Sequence, residues 1–402
     1  MMRAFKLAPL MAAICTIPLS LFCEAKLVRM PSRGNEIITM AISGKKILVV
    51  TLNGDLYCTD KHQIAWQLCH QVVSKEQAKK MDDYVAWGDI ITGHGNVVYR
   101  VAGVYENRAM WESRNSGVTW RETQVKQSKI FGTVSQNGDL YFQFTNEGFP
   151  LGVYVHKLGS REAPQRVPGT ESVGELCALG AHKDTLYFGH NVITGQPRGG
   201  RLTQSPGKIT KRNELGTDTC QFFSLELKKP NAVANFSFEY TGRISVYQDD
   251  IFSNEKSMFI GIETEDAEAP NNKSIFFDFY NKSTRKVPVE IWPKSLPGNI
   301  SNEKQNWYLE GVNNTHSIWY NDKKNGIFLC NSAARNCKQL PLPSSQPRIS
   351  LSIIHLSKSG EIYICTNQKY LFKWMKDERK WEKILDNKIL NVYPKFLPSK
   401  AR

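Results

Sequence analysis

The chain has 402 residues and a formal net charge of +14 at pH 7, and 41 % of its residues are hydrophobic. This length suits one closed domain, and beyond the N-terminus no apolar run approaches the roughly 20 residues needed for a membrane-spanning helix. A basic charge of this size favours anionic partners such as sulfated or sialylated glycans, acidic membrane surfaces or nucleic acid, although it can also serve solubility alone.

The first residues follow the pattern of a targeting segment. Arg3 and Lys6 give a basic start, residues 7–22 are apolar and uncharged, and Ala25 is a small residue at a cleavage point. This order is typical of a secretory signal peptide. Residues 1–25 are therefore predicted to be removed, and the mature protein is predicted to be secreted or lumenal, which disfavours nucleic acid as a partner.

An aromatic residue recurs along the chain at a nearly constant spacing. Tyr57, Tyr99 and Tyr141 are 42 residues apart, and each ends a short apolar run that follows a glycine-containing turn. The pattern continues more loosely as far as Tyr363. Short strands and tight turns at a period in the forties are typical of β-propeller blades. The predicted fold is all-β, a single propeller over residues 26–402, with seven blades and with six or eight as alternatives.

The turn signals also give approximate blade limits. The N-terminal strand is a candidate to complete the last blade, because a closed ring protects sheet edges. Recurring tryptophans are predicted to pack at the ends of blades, and one helical turn is predicted over residues 74–80. The predicted units are 36–73, 84–125, 129–168 and 173–214, then one or two irregular blades in 218–298, then 304–343 and 348–386.

One local motif suggests a specific hairpin. In the stretch Ser113–Trp120 the order is Ser-x-Asn-x-Gly-x-x-Trp. The Asn115 side chain is expected to fold back onto turn amides, and Gly117 to take a backbone conformation that a side chain disfavours. The stretch resembles the Asp-box, with Asn115 in the acidic position. The resemblance implies a structural hairpin, as found in propeller sialidases, in other propeller glycosidases and in binding propellers without catalysis.

Two further comparisons bear on function. Residues 38–66 and 353–381 resemble the repeat of tectonin-type lectin propellers: an apolar strand, a polar turn with glycine, a strand that ends in Tyr, and then Trp. That resemblance implies glycan or surface-ligand binding through loops on one face. A sialidase would instead require an early Arg-Ile-Pro and three convergent arginines; the chain lacks Arg-Ile-Pro, and Arg100 is a poor substitute.

Seven cysteines follow the predicted cleavage point. In an oxidising compartment some of them should form disulfides. Cys365 is then left over and is predicted to be a buried thiol within a strand. The predicted bridges join Cys58 to Cys69, Cys330 to Cys337 and, between the starts of two successive blades, Cys177 to Cys220.

Modification and ligand sites are predicted from local composition. Five N-x-Ser/Thr sequons are candidates for glycosylation: Asn235, Asn272, Asn281, Asn299 and Asn313. A basic, glycine-rich and proline-rich stretch is a candidate contact for a polyanion, with a solvated loop as the alternative: Arg198, Arg201, Lys208, Lys211 and Arg212.

These features together predict a secreted, disulfide-bonded, monomeric propeller that acts by binding. The expected partner is an anionic glycan or a cell-surface glycoprotein, and no cofactor or metal motif is present in the sequence. The alternatives are a glycoside hydrolase of the Asp-box type and a scaffold for protein partners. Fold alone does not separate the three, and no catalytic residue is assigned.

Overall fold

The structure is a computed structural model. It describes residues 28–29, 36–52, 54–71, 88–92, 95–103, 109–126, 130–144, 152–171, 173–174, 176–194, 217–228, 233–237, 244–245, 251–253, 257–264, 273–278, 289–290, 307–321, 326–332, 336–343, 351–390 and 392–393.

The strands form seven antiparallel sheets that follow one another along the chain, together with one short ribbon between β1 (Val28–Arg29) and the last strand. The first three sheets contain β2 (Ile37–Ser43), β3 (Lys46–Thr51), β4 (Leu56–Asp60) and β5 (Gln67–His70); β6 (Gly88–Thr92), β7 (Val98–Ala102), β8 (Ala109–Ser113) and β9 (Arg121–Lys126); and β10 (Ile130–Val134), β11 (Leu140–Phe144), β12 (Tyr154–His156) and β13 (Gln165–Arg166).

The fourth and fifth sheets contain β14 (Leu176–His182), β15 (Thr185–Thr194), β16 (Thr217–Glu226) and β17 (Val233–Ser237), and then β18 (Ile244–Ser245), β19 (Ile251–Ser253), β20 (Ser257–Thr264), β21 (Lys273–Asp278) and β22 (Val289–Glu290). The last two sheets contain β23 (Trp307–Val312), β24 (His316–Asn321), β25 (Gly326–Asn331) and β26 (Lys338–Leu340), and then β27 (Leu351–Leu356), β28 (Ile362–Thr366), β29 (Tyr370–Met375) and β30 (Lys380–Asp386), followed by the helix α1 (Asn387–Leu390) and by β31 (Val392–Tyr393).

The seven sheets form a closed ring. The innermost strands contact one another in the order β2, β6, β10, β14, β19, β23 and β27, and β27 contacts β2 again. Each sheet is therefore a blade, and the prediction of a single seven-bladed propeller is confirmed.

The hydrophobic core lies between neighbouring blades, because the inner strands are apolar on both faces. In β3 the residues from Ile47 to Val50 are 0 % exposed, and every residue of β28 is buried. One cluster joins the seventh blade to the first through Tyr363, Leu371 and Ile37. Radial packing thus buries both faces of each sheet, as the continuous apolar runs predict.

The turns define two ends of the ring. We call face A the end that carries the turns between the first and second strands and between the third and fourth strands of each blade. Hydrogen bonds on face A join neighbouring blades: Asn313 Nδ2 donates to Ser357 O, Lys61 Nζ to Glu361 Oε2, and Tyr99 Oη to Gly138 O. Ser43 Oγ also donates to Ser116 Oγ, between the first and second blades. These contacts link the sixth, seventh, first, second and third blades.

The repeat is out of phase in the first blade. Tyr57 lies on the third strand of its blade, whereas Tyr99, Tyr141 and Tyr363 lie on second strands. The reason is that the same type of turn occurs at different places in the first and third blades. In residues 51–55 and 135–139 the first residue accepts from the glycine amide and donates to the carbonyl of the last residue, but the first of these turns joins second and third strands and the other joins first and second strands.

The predicted end of the fourth blade and start of the fifth are wrong, and the candidate closing strand does not complete the last blade. The fourth blade continues to Ser237, because β16 and β17 belong to it, and the described strands between Ile244 and Glu290 form one blade whose inner edge is divided between β18 and β19. The seventh blade is complete without the N-terminal strand, since Val28 and Arg29 pair with β31 outside the ring. The predicted helical turn at residues 74–80 lies outside the described residues.

Candidate functional site

The hairpin between β8 and β9 has the internal geometry that its sequence predicts. Asn115 Oδ1 accepts from Thr119 N at 2.8 Å, and Ser113 Oγ accepts from Gly117 N at 2.9 Å. Gly117 has φ +81°, a conformation that favours glycine. The indole N–H of Trp120 donates to Gly117 O, and its ring stacks on His70 of the first blade. Ser113, Asn115, Gly117 and Trp120 therefore hold the hairpin and dock it on the preceding blade.

A buried carboxylate lies directly beside this hairpin. The Glu112 side chain is 1 % exposed and accepts from Arg114 Nε at 2.9 Å, from Gly159 N at 2.8 Å and from Arg121 Nη2 at 3.3 Å. His156 Nε2 lies 3.3 Å from it. Burial alone would raise the pKa of Glu112, but the hydrogen bonds and the guanidinium charges outweigh burial and lower that pKa to about 2. Glu112 is thus an ionised anchor that joins the second blade to the third.

The two arginines bound to Glu112 differ in how many of their guanidinium nitrogens have hydrogen-bond partners. Arg121 Nη1 donates to Gly159 O and its Nη2 to Ser160 O, so both of its terminal nitrogens are engaged. Arg114 uses only Nε, its side chain is 56 % exposed, and Nη1 and Nη2 have no hydrogen-bond partner among the described residues. Its guanidinium lies against Gly159, where a Cβ would be 1.5 Å from Arg114 Nη2.

Exposed basic side chains extend from this junction around face A. Those in the described turns of face A outnumber the exposed acidic ones, which are Glu162, Asp184, Asp377 and Glu378. The exposed basic residues are Lys45, Arg114, Lys157, Arg161, Lys183, Lys228, Lys358, Lys376 and Arg379.

Arg100, which the sequence offers as a weak substitute for a substrate arginine, is enclosed within the fold. It is 0 % exposed, it donates from Nη2 to Gly54 O, and its Nη1 lies 3.1 Å from His70 Nδ1. Burial lowers the pKa of Arg100 to about 10, and burial together with the Arg100 charge lowers the pKa of His70 to about 3. This pair packs the first blade against the second, and Arg100 itself does not face solvent.

The fully buried carboxylates among the described side chains do not offer the catalytic pair that a glycosidase needs. The buried carboxylates in this part of the chain are Asp55 and Glu112, and Glu112 is already saturated by protein donors. A catalytic pair of carboxyl groups must instead flank a substrate. Among the described residues, no group of three His, Cys, Asp or Glu side chains could hold a metal ion.

Two of the three predicted disulfides are present, Cys58–Cys69 and Cys330–Cys337, and Cys365 is a buried thiol in β28. The third predicted pairing, between Cys177 and Cys220, concerns side chains outside the described part of the structure and stays a prediction. Cys177 and Cys220 lie in the same blade, on β14 and β16, with β15 between them. The two residues therefore do not lie at the starts of two successive blades, contrary to what the sequence predicts.

The remaining predicted site residues fall mostly outside the described part of the chain. The basic stretch that contains Arg198, Arg201, Lys208, Lys211 and Arg212 follows β15 in the chain and lies outside the described residues, as do Asn272, Asn281 and Asn299. Asn235 is in β17. Asn313 is 4 % exposed and its Nδ2 donates to Ser357 O at 3.0 Å. A glycan on that nitrogen is incompatible with this turn.

Sequence comparison identifies no relative: no family model and no curated protein matches the chain. Over the described part of the chain, no helix combines the length and hydropathy needed to cross a bilayer.

Solved structures do resemble the chain. The GH74 enzyme of Niastella koreensis matches with a TM-score of 0.53 and 11 % identity over 90 % of this chain and 56 % of its own. A prolyl endopeptidase matches with a TM-score of 0.52 and 10 % identity, over 87 % of this chain and 50 % of its own. YCF48, solved with a D1 peptide, matches with a TM-score of 0.50 and 12 % identity, over 88 % of this chain and 95 % of its own. At such identities these likenesses support the propeller fold alone, and the chain spans only about half of the two enzymes.

Proposed function

We propose that this propeller is a secreted binding protein whose ligands are anionic glycans, and that face A is its binding surface. The observation that carries the proposal is the excess of exposed lysines and arginines in the described turns of face A. Several of the acidic groups there are already engaged by the protein, such as Asp139 with Lys157 and Glu361 with Lys61. The exposed cations can therefore attract an external polyanion.

The proposed extracellular location has a separate basis. The Cys58–Cys69 and Cys330–Cys337 bridges are compatible with an oxidising compartment, and the N-terminal pattern of residues 1–25 predicts a signal peptide. Mass spectrometry of the protein recovered from the medium of expressing cells should find a chain that begins at Lys26. An intact N-terminus, or retention of the whole protein inside the cells, would contradict this part of the proposal.

The glycan proposal is tested by binding to an array of acidic and neutral glycans at physiological and high salt, followed by dissociation constants for heparin. The double variant Lys45→Gln/Lys358→Gln removes two exposed charges from face A. The control Lys369→Gln/Lys388→Gln removes two exposed charges away from these turns. We expect the first to weaken heparin binding about tenfold, at somewhat under 1 kcal/mol per charge, and the control to weaken it less than twofold. Absence of acidic-glycan binding, or equal effects of the two variants, would refute the proposal.

A protein partner is the second candidate. Ile64 and Val118, in the turns between third and fourth strands of the first two blades, are 40 % and 42 % exposed, which is unusual among the described apolar side chains. YCF48, which this chain covers to 95 % of its length, was solved with a D1 peptide. Specific capture of one extracellular protein, lost on Ile64→Ser/Val118→Ser with heparin binding unchanged, would favour this candidate. The hydrolase alternative rests on likeness of fold only and is not advanced.

A further inference from the structure

Arg114 differs from the other exposed cations of face A in how firmly its position is set. Its Nε donates to Glu112, and that carboxylate is held in turn by Gly159 N and by Arg121. An exposed lysine or arginine ordinarily loses about 2 kcal/mol of rotamer entropy when a ligand fixes it. For Arg114 much of that loss has already occurred on folding, because the anchor is buried and ionised.

Glu112 also determines which edge of the Arg114 guanidinium is left to contact a ligand. Glu112 occupies the Nε side, so the Nη1/Nη2 fork is the edge directed away from the carboxylate, and neither nitrogen has a partner among the described residues. A planar fork with two parallel N–H donors matches a carboxylate, sulfate or phosphate oxygen pair. A lysine ammonium, by contrast, acts as a point charge.

Gly159 makes this placement possible. It has φ +79°, and the guanidinium of Arg114 occupies the space in which any side chain at this position would begin. The turn between β12 and β13 that contains Gly159 carries two more exposed cations: Lys157, which pairs with Asp139 at 2.8 Å, and Arg161. The anchored fork of Arg114 therefore lies against a turn that carries two further exposed cations.

We propose that Arg114 is the oxyanion subsite of face A and takes one sulfate or carboxylate group of an acidic glycan, while Glu112 and Gly159 act as positioning residues. The inference rests on the proposed function and deepens it. It predicts that geometry, and not charge alone, decides binding at this position.

The substitution Arg114→Lys tests this directly, because it keeps the charge and removes the fork. Arg161→Lys is the matched control, since it makes the same change in an exposed arginine of the neighbouring turn for which no Glu112-like anchor is observed. The probe is a heparin hexasaccharide, and a second arm uses its desulfated, carboxylate-bearing counterpart. We expect Arg114→Lys to weaken hexasaccharide binding about tenfold and Arg161→Lys less than twofold, with both variants keeping the salt dependence of the wild type.

The two arms separate the ligand groups, and the wild type separates the two proposals. A tenfold effect with the hexasaccharide alone assigns sulfate, and an effect with the desulfated probe as well assigns carboxylate. If the wild type binds neither probe, the proposed function is wrong. If it binds and Arg114→Lys binds equally well, the subsite is wrong and the general proposal stands.

A structural contribution of Arg114 would give a different result. Nitrogen-15 spectra of the arginine side chains report the Arg114 Nε–H in the free protein and on addition of the hexasaccharide. We expect a slowly exchanging Nε–H before addition, because Glu112 holds it, and a shift of the Arg114 guanidinium signals on binding. Unchanged Arg114 signals at saturating probe would overturn the proposal.

Discussion

Asn313 shows how one side chain can support a turn and join two blades. Its Oδ1 accepts from Thr315 N at 2.9 Å and from His316 N at 2.8 Å, and its Nδ2 donates to Ser357 O in the next blade. The sequence marks this residue as a glycosylation candidate, because a sequon consists of three residues and carries no information about burial. The long-range bond to Ser357 is what makes the candidate unsuitable.

We expect Asn313→Ala to lower the free energy of unfolding by about 2 kcal/mol, because it leaves two partly buried backbone N–H groups and the buried carbonyl of Ser357 without this partner. Gln136→Ala, in an exposed turn position of the third blade, is the control and should change the stability by less than about 0.5 kcal/mol. Chemical denaturation of the two variants measures both values. Equal stabilities of the two variants would show that the turn does not depend on Asn313.

At the scale of the element, the hairpin between β8 and β9 illustrates what a local motif can predict. Its hydrogen bonds join residues two to four positions apart, from Ser113 to Thr119, and such contacts can be inferred from residue types alone. The acidic position of the motif is an amide here, and Asn115 Nδ2 donates to Thr119 Oγ1 at 2.9 Å. A carboxylate could instead accept from the same hydroxyl.

This equivalence makes a prediction. Asn115→Asp should leave stability within about 0.5 kcal/mol of the wild type, whereas Asn115→Ala should cost about 1 kcal/mol through the lost bond to Thr119 N. Urea unfolding of the two variants under identical conditions provides the comparison. A destabilisation by Asp as large as that by Ala would mean that the hairpin requires the amide donor.

Longer-range features were beyond the sequence for identifiable reasons. Turns of one type occur at both ends of the blades, so the Gly54 turn is indistinguishable from the Gly138 turn in sequence. The tyrosine spacing therefore does not show that Tyr57 lies on a third strand and Tyr141 on a second. The junction of Glu112 with Gly159 joins residues 47 positions apart. Its only sequence signal was a glycine and several arginines in two separate turns, and nothing in their spacing indicated contact.

At the scale of the whole molecule, the ring is closed by contacts between the seventh and first blades. Ile37 N donates to Gln368 O, Trp66 Nε1 donates to Ile384 O at 2.8 Å, and Trp66 packs on the cluster shared by both blades. Trp381 repeats the arrangement one blade earlier by donating to Pro341 O. These two tryptophans pack at the ends of blades, as predicted, and each one contacts the preceding blade.

An ion pair reinforces the same closure. Glu361, 21 % exposed, accepts from Lys61 Nζ of the first blade at 2.9 Å and lies 3.0 Å from Lys373 Nζ of its own blade. Burial alone would raise the pKa of Glu361, but the hydrogen bonds from these lysines and from Ser359 outweigh burial and lower that pKa to about 2. A carboxylate whose pKa is lower in the folded than in the unfolded state binds protons more weakly when folded, so its stabilisation is present above the unfolded pKa and disappears as the pH falls through the folded pKa.

Glu361→Gln should therefore reduce the free energy of unfolding by about 1–2 kcal/mol at pH 7, after allowance for partial solvent screening. The difference from the wild type should shrink as the pH falls from about 5 to about 2, because the unfolded chain takes up a proton at the ordinary carboxyl pKa, whereas folded Glu361 does so only at a pKa of about 2. Glu378→Gln, which removes the acidic partner of the exposed Lys380, is the control and should leave stability unchanged at every pH. Denaturation at pH 7, 4 and 2 measures the three proteins. A Glu361→Gln effect that persists undiminished at pH 2 would assign the loss to packing, and the ring would then be closed by its tryptophans and apolar cluster without help from this charge.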